Sequence, residues 1–127
     1  MAMFAQLSLG VHDDERAAAF WAPALGYVRR PPRYAGDDWI VLEPPPGVPG
    51  CAIAMDVVDS AAEEFPHTHI DLHAGGRPLD AEVERLIGLG AQHVDWQHYP
   101  ENRRPEVPRY VVLADPEGNR FCVGEHG

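Results

Sequence analysis

His67, His69 and His73 fall at alternating positions of a segment in which Ile70 and Leu72 occupy the intervening phase. A period of two is that of a half-buried strand, so the three imidazoles share one face. A neutral imidazole binds divalent metals or moves a proton near neutral pH. His69 is therefore the candidate catalytic residue, as metal ligand or general base; the plainer alternative is a histidine that only hydrogen-bonds a neighbour. Cys122 is a candidate ligand, nucleophile or packing residue. A nucleophile needs a nearby cation or helix start to stabilise its thiolate, which the sequence does not place beside it, so packing is favoured there and at Cys51. Arg103, Arg104 and Arg109 gather positive charge in and beside the loop 99–106, a candidate cap that contacts an anion. Asp115 and Asn119 belong to a turn held by bonds from side chain to backbone.

These residues must be positioned by regular elements, and the elements repeat. Leu7, Leu9 and Val11 alternate as in a strand. Asp13 and Asp14 start a helix that runs from Glu15 to Leu25, tightened or kinked by Pro23 and capped by Gly26. Tyr27 to Arg30, Trp39 to Leu42 and Cys51 to Val58 are three further strands, with Pro44 to Gly50 as a loop. The second half echoes that order. His69 to His73 is a strand, and Leu79 to Leu89 a helix in which Leu79, Val83, Leu86 and Ile87 face inward while Asp80, Glu82, Glu84 and Arg85 face away. Gly90 caps it; Gln92 to Trp96, Arg109 to Leu113 and Phe121 to Val123 are strands. Glu125, three residues beyond Cys122, falls on the opposite face.

The expected fold is α+β: two βαβββ modules, residues 4–58 and 67–125 of a single domain 1–127, forming a curved mixed sheet around a shared cleft with helices outside. Phe20, Trp21 and Phe121 belong to the core. Trp39, Tyr110 and Trp96 lie on strands beside the cleft and are candidates for a ligand-facing wall.

Length and charge narrow the function. The chain has 127 residues, 20 acidic against 10 basic, for a formal net charge of -10. That balance disfavours nucleic acid and anionic membrane surfaces as partners. Two cysteines do not make a disulfide framework and are expected to be reduced. The first residues lack a signal-peptide pattern and there is no stretch of 18 apolar residues, so a cytoplasmic protein is expected.

Three stretches carry a family likeness: Ala19-Phe20-Trp21 through Leu25-Gly26-Tyr27; His69-Ile70-Asp71-Leu72 with Glu82 to Gly90; and Leu113-Ala114-Asp115-Pro116-Glu117-Gly118-Asn119 through Phe121-Cys122-Val123. In this order and spacing the chain resembles the vicinal oxygen chelate superfamily, which includes glyoxalase I, the extradiol dioxygenases and the bleomycin or fosfomycin resistance proteins. Its glyoxalase-like branch is the nearest likeness. The resemblance implies a small organic molecule as substrate or ligand, and a homodimer. It also implies a metal set of Gln6, His69, Met55 or its neighbour Asp56, and Cys122. Gln6, Trp39, Tyr110, His67 and Arg109 become candidate substrate contacts. Metal-dependent relatives usually carry Glu where Cys122 stands. That departure, with a thioether at Met55, suits Zn, Ni, Mn or Fe less well than the usual His, Gln and Glu, and it leaves the base to His69 or another histidine of its strand. Two functions follow as expectations: a metal-dependent lyase or isomerase, and a drug-sequestering protein that binds without catalysis.

Overall fold

The computed structural model describes residues 1–125; the expected domain end at residue 127 lies outside the described residues. The chain forms two compact units, residues 1–62 and a second beginning at Glu63. Each is a βαβββ module with a four-stranded mixed sheet.

In the first, β1 (Gln6–Val11), α1 (Asp14–Leu25), β2 (Val28–Arg29), β3 (Val41–Glu43) and β4 (Ala52–Val57) follow in sequence, and the sheet order is β1-β4-β3-β2. β1 pairs with β4 in parallel, and the other pairs are antiparallel. The start of α1 is set by Asp13, whose carboxylate accepts a hydrogen bond from the Arg16 amide at 3.0 Å, satisfying one of the helix's orphan donors. The helix runs two residues past Pro23 and ends at Gly26, whose φ of 68° is the left-handed conformation that glycine adopts without a Cβ penalty. It packs on β3 and β4 and buries Ala17, Phe20, Trp21 and Ala24. The Phe20 and Trp21 rings meet edge to face at 5.1 Å.

The second module repeats the plan with β5 (Ile70–His73), α2 (Leu79–Leu89), β6 (Gln92–His93), β7 (Tyr110–Ala114) and β8 (Arg120–Gly124), in the order β5-β8-β7-β6. α2 packs on β8, and Leu79, Val83 and Leu86 are buried with Phe121 and Val123. Alternation then assigns Arg120, Cys122 and Gly124 to the other face of β8. The register sets Asp71 of β5 and Val112 of β7 beside Cys122. Asp115 is fully buried, its Oδ1 accepting the amides of Glu117 and Asn119 at 2.9 and 2.8 Å. The expected turn role is thus observed for Asp115, while Asn119 contributes its backbone amide and a side-chain contact from Nδ2 to Asp115 Oδ2 at 3.5 Å.

Several strands are shorter than expected. Trp39 and Ile40 precede β3, His69 precedes β5, and Trp96 lies beyond β6. Glu82 does not face away from the core: only 8% of it is exposed. Position 82 is one turn from both Leu79 and Leu86, at the margin of the apolar stripe. Arg85 covers it with two bonds, Nε to Oε1 at 2.8 Å and Nη2 to Oε2 at 2.9 Å. Cys51, expected to pack, is exposed, and both cysteines are free. Among the described residues, no helix is long and apolar enough to cross a membrane.

Candidate functional site

The exposed face of the second module's sheet brings three unlike donor atoms together. β5 carries Asp71 and is preceded by His69, and strand alternation turns both to one side. The parallel pairing with β8 adds Cys122 next to Asp71. His69 Nδ1 lies 3.0 Å from Asp71 Oδ1 and 4.0 Å from Cys122 Sγ. One ligand atom from each of the three falls within 4.8 Å of the others. Burial, followed by the charge and hydrogen bond of Asp71, pushes the Cys122 thiol up to about 11. The thiol is therefore protonated at neutral pH, and a cation between these atoms would compete with its proton. Imidazole nitrogen, carboxylate oxygen and thiolate sulfur together form a donor set that zinc accepts, with a fourth position left for water or a ligand. The residues present fit a divalent ion of that kind.

Around the triad is a hollow of about 510 Å³. His73 continues the face of His69 and Asp71, while Tyr110 and Trp96 supply aromatic surface. The Tyr110 hydroxyl is held above its ordinary range by burial, then by the neighbouring Cys122 and Tyr99. Tyr99 packs against Tyr110 with ring centres 5.4 Å apart, and its hydroxyl oxygen accepts the Val112 amide at 2.7 Å. Phe65 and His98 stack at 3.9 Å with rings nearly parallel, and Trp96 meets both edge-on at 5.3 and 5.0 Å.

The other sequence candidates are placed as follows. Met55 is buried in the first module's core, 1% exposed, on the strand face that also carries Ile53. Asp56 is exposed and pairs with Gly10, four residues along β1 from Gln6. That separation is about 13 Å of strand, so Gln6 and Asp56 do not share a metal. Gln6 is half-buried at the start of β1, and Trp39 is 41% exposed with its indole N–H donating to the Met55 carbonyl at 3.1 Å. His67 is exposed ahead of β5. Arg109 is engaged by Glu125, through its amide at 2.9 Å and its Nε at 2.8 Å. Glu125 itself lines the hollow with Cys122, contrary to the expectation from spacing, because β8 ends at Gly124 and alternation no longer applies. Asp71 was not singled out from the sequence, although the alternation that groups the histidines includes it. Phe65 and His98 come from irregular segments and left no periodic signal.

The glyoxalase-like domain profile matches residues 6–124. The chain therefore belongs to the glyoxalase-like domain family, within the vicinal oxygen chelate superfamily. Among solved structures, the fosfomycin resistance protein FosX from Listeria monocytogenes superposes with a TM-score of 0.72 at 19% identity, covering 100% of this chain and 93% of that one. A member of the glyoxalase/bleomycin resistance protein/dioxygenase superfamily from Sphaerobacter thermophilus gives 0.65 at 22% identity, with 99% and 98% covered. A hypothetical protein, SA1046, from S. aureus gives 0.69 at 17% identity, with 99% and 95% covered. At these identities the likeness is one of fold. No curated protein matches the chain.

Proposed function

We propose that the hollow on the second module binds a small organic molecule through vicinal oxygen atoms and a divalent ion, zinc being the best fit, held by His69, Asp71 and Cys122. The observation that carries this reading is the convergence of the three donor atoms within 4.8 Å on an open face. When bound, such an ion would polarise a substrate oxygen as a Lewis acid. The chain's own groups do the rest. Trp96 and Tyr110 exclude water from one side of the ligand and orient its flat surface. His73 and His98 line the same hollow and are the imidazoles left to move a proton once His69 is engaged as a ligand. The reaction class that fits is a lyase or isomerase step at a carbon beside a carbonyl. One bound FosX relative carries Mn(II) and 1S,2S-dihydroxypropylphosphonic acid, which is compatible with an oxygen-binding ion on this fold.

A second reading, non-catalytic sequestration of a small molecule such as a drug, is favoured by the aromatic wall, which needs no ion to stack on a ligand. Elemental analysis of the untagged, dialysed protein separates the two. About one metal per chain, lost in His69→Ala and in Cys122→Ala with the fold intact, supports the metal-dependent reading. Absence of metal after growth in zinc-supplemented medium overturns it and leaves sequestration.

A further inference from the structure

The connection from β6 to β7, residues 94–109, runs for sixteen residues without a helix or strand. Antiparallel neighbours such as these are usually joined by about two to five, and a longer irregular connection usually carries a function such as a lid. This one supplies Trp96 and His98 to the wall of the triad hollow. Their rings meet each other and Phe65, which is itself 60% exposed and belongs to another irregular segment. The segment is tied to the sheet at two feet. Gln92 pairs with Ala114 and His93 with Leu113, so the next partners in register would be Val94 and Val112. β6 stops at His93, and the Val112 amide donates to the Tyr99 hydroxyl oxygen at 2.7 Å. A side chain thus fills the place of a strand, and the Tyr99 ring rests on Tyr110 of the hollow. At the other foot Glu125 holds Arg109. Between the feet the residues are exposed. The tip is bonded to itself, with the Val107 amide donating to the Arg104 carbonyl at 3.0 Å and Arg103 Nη1 to the Val107 carbonyl.

We propose that residues 94–109 are a hinged lid of the triad hollow and that Tyr99 is its latch. With the bond to Val112 made, Trp96 and His98 stand as one wall of the hollow that Cys122 also lines. When it breaks, the two rings and the self-bonded tip swing away together, pivoting on the end of β6 and the Arg109 foot. The mouth through which a ligand reaches His69, Asp71 and Cys122 then widens. One side-chain bond and exposed ring contacts restrain the segment less than the ladder between β7 and β8 restrains the sheet, so it opens locally while the sheet stays folded. A lid of this kind admits and releases a bulky ligand at the rate of its own opening. It serves either reading of the hollow, since it requires neither a metal nor a reaction.

Native-state hydrogen exchange and thiol labelling of the full chain test this, in a Cys51→Ser background that leaves Cys122 as the thiol. Tyr99→Phe keeps the ring and removes the hydroxyl. It is expected to speed exchange of the Val112 amide about tenfold, the effect of one hydrogen bond, and to leave Leu113 and Val123 unchanged. Labelling of Cys122 by a bulky pyrenyl maleimide should accelerate about threefold more than labelling by iodoacetamide, because the wall obstructs the larger reagent. Ionisation of the thiol affects both reagents alike and cancels in the ratio. An unmoved ratio overturns the lid, even where Val112 exchanges faster. So does a ratio that rises only together with faster exchange at Leu113 and Val123, because that assigns Tyr99 to the stability of the sheet. Arg109→Gln loosens the other foot and is expected to raise the same ratio. It decides the question if Tyr99→Phe does not fold, an unmoved ratio there overturning the lid.

Discussion

A thiol pushed up to about 11 reacts slowly at neutral pH, because the thiolate is the nucleophile. In a Cys51→Ser variant, which removes the exposed cysteine, alkylation of Cys122 is expected to be slow at pH 8, where roughly a thousandth of the thiol is ionised. The rate should climb through pH 10. Asp71→Asn removes the nearest negative charge and should accelerate it, as measured by iodoacetamide labelling and mass spectrometry. A second residue, Glu82, acts on stability. Its carboxyl is held below the ordinary range by the hydrogen bond from Arg85, against the opposing effect of burial, with the charges of Arg85 and Arg77 adding to the lowering. The folded state therefore binds this proton less readily than the unfolded chain. The resulting stabilisation is present above the ordinary glutamate range and is lost as the pH falls through the folded value. Glu82→Gln should flatten the acid limb of a denaturation profile. Glu82→Ala should cost about 1–3 kcal/mol at pH 7, because it removes both charge-assisted bonds to Arg85.

At the scale of elements, α1 depends on its two ends. Asp13→Ala removes the bond to the Arg16 amide and should lower stability by about 1 kcal/mol in urea unfolding. The helices were legible in the sequence because each has a 3.6-residue apolar stripe and a terminal glycine; α2 spans Leu79–Leu89 as its pattern implies. The strands were legible as a set but not at their ends. Trp39 and Ile40 have high strand propensity, yet β3 begins at Val41, with the Ile40 carbonyl still accepting the Met55 amide at 2.9 Å. Propensity is local and does not fix where the regular pairing of a strand starts. The site divides the same way. His69 and Cys122 could be chosen from spacing, and Asp71 follows from the phase of the same strand. The stacking of Phe65 on His98 depends on the paths of two irregular segments, and no period encodes a path.

For the whole molecule, a charge of -10 makes the compact state repel itself. The melting temperature should rise with added sodium chloride over the range in which screening becomes complete, and a fall would show that surface ion pairs such as Arg109 with Glu125 outweigh the repulsion. The homodimer implied by the family likeness is expected to sediment at twice the 14.0 kDa chain mass.

The sheet orders have a consequence for how the chain is made. β1 and β5 each stand at one end of their sheet's strand order and, among the described residues, pair within that sheet with the last strand of their own module. An opening strand emerging from the ribosome therefore has no sheet partner until the strand that closes its module has followed it. Such long-range parallel pairing is slow to form, since the intervening chain must be ordered before the contact rewards it. During synthesis the first module can close once β4 is out, while β5 waits with an open edge until translation reaches Arg120–Gly124. A chain truncated before β8 should consequently be sticky and protease-sensitive in its second half alone.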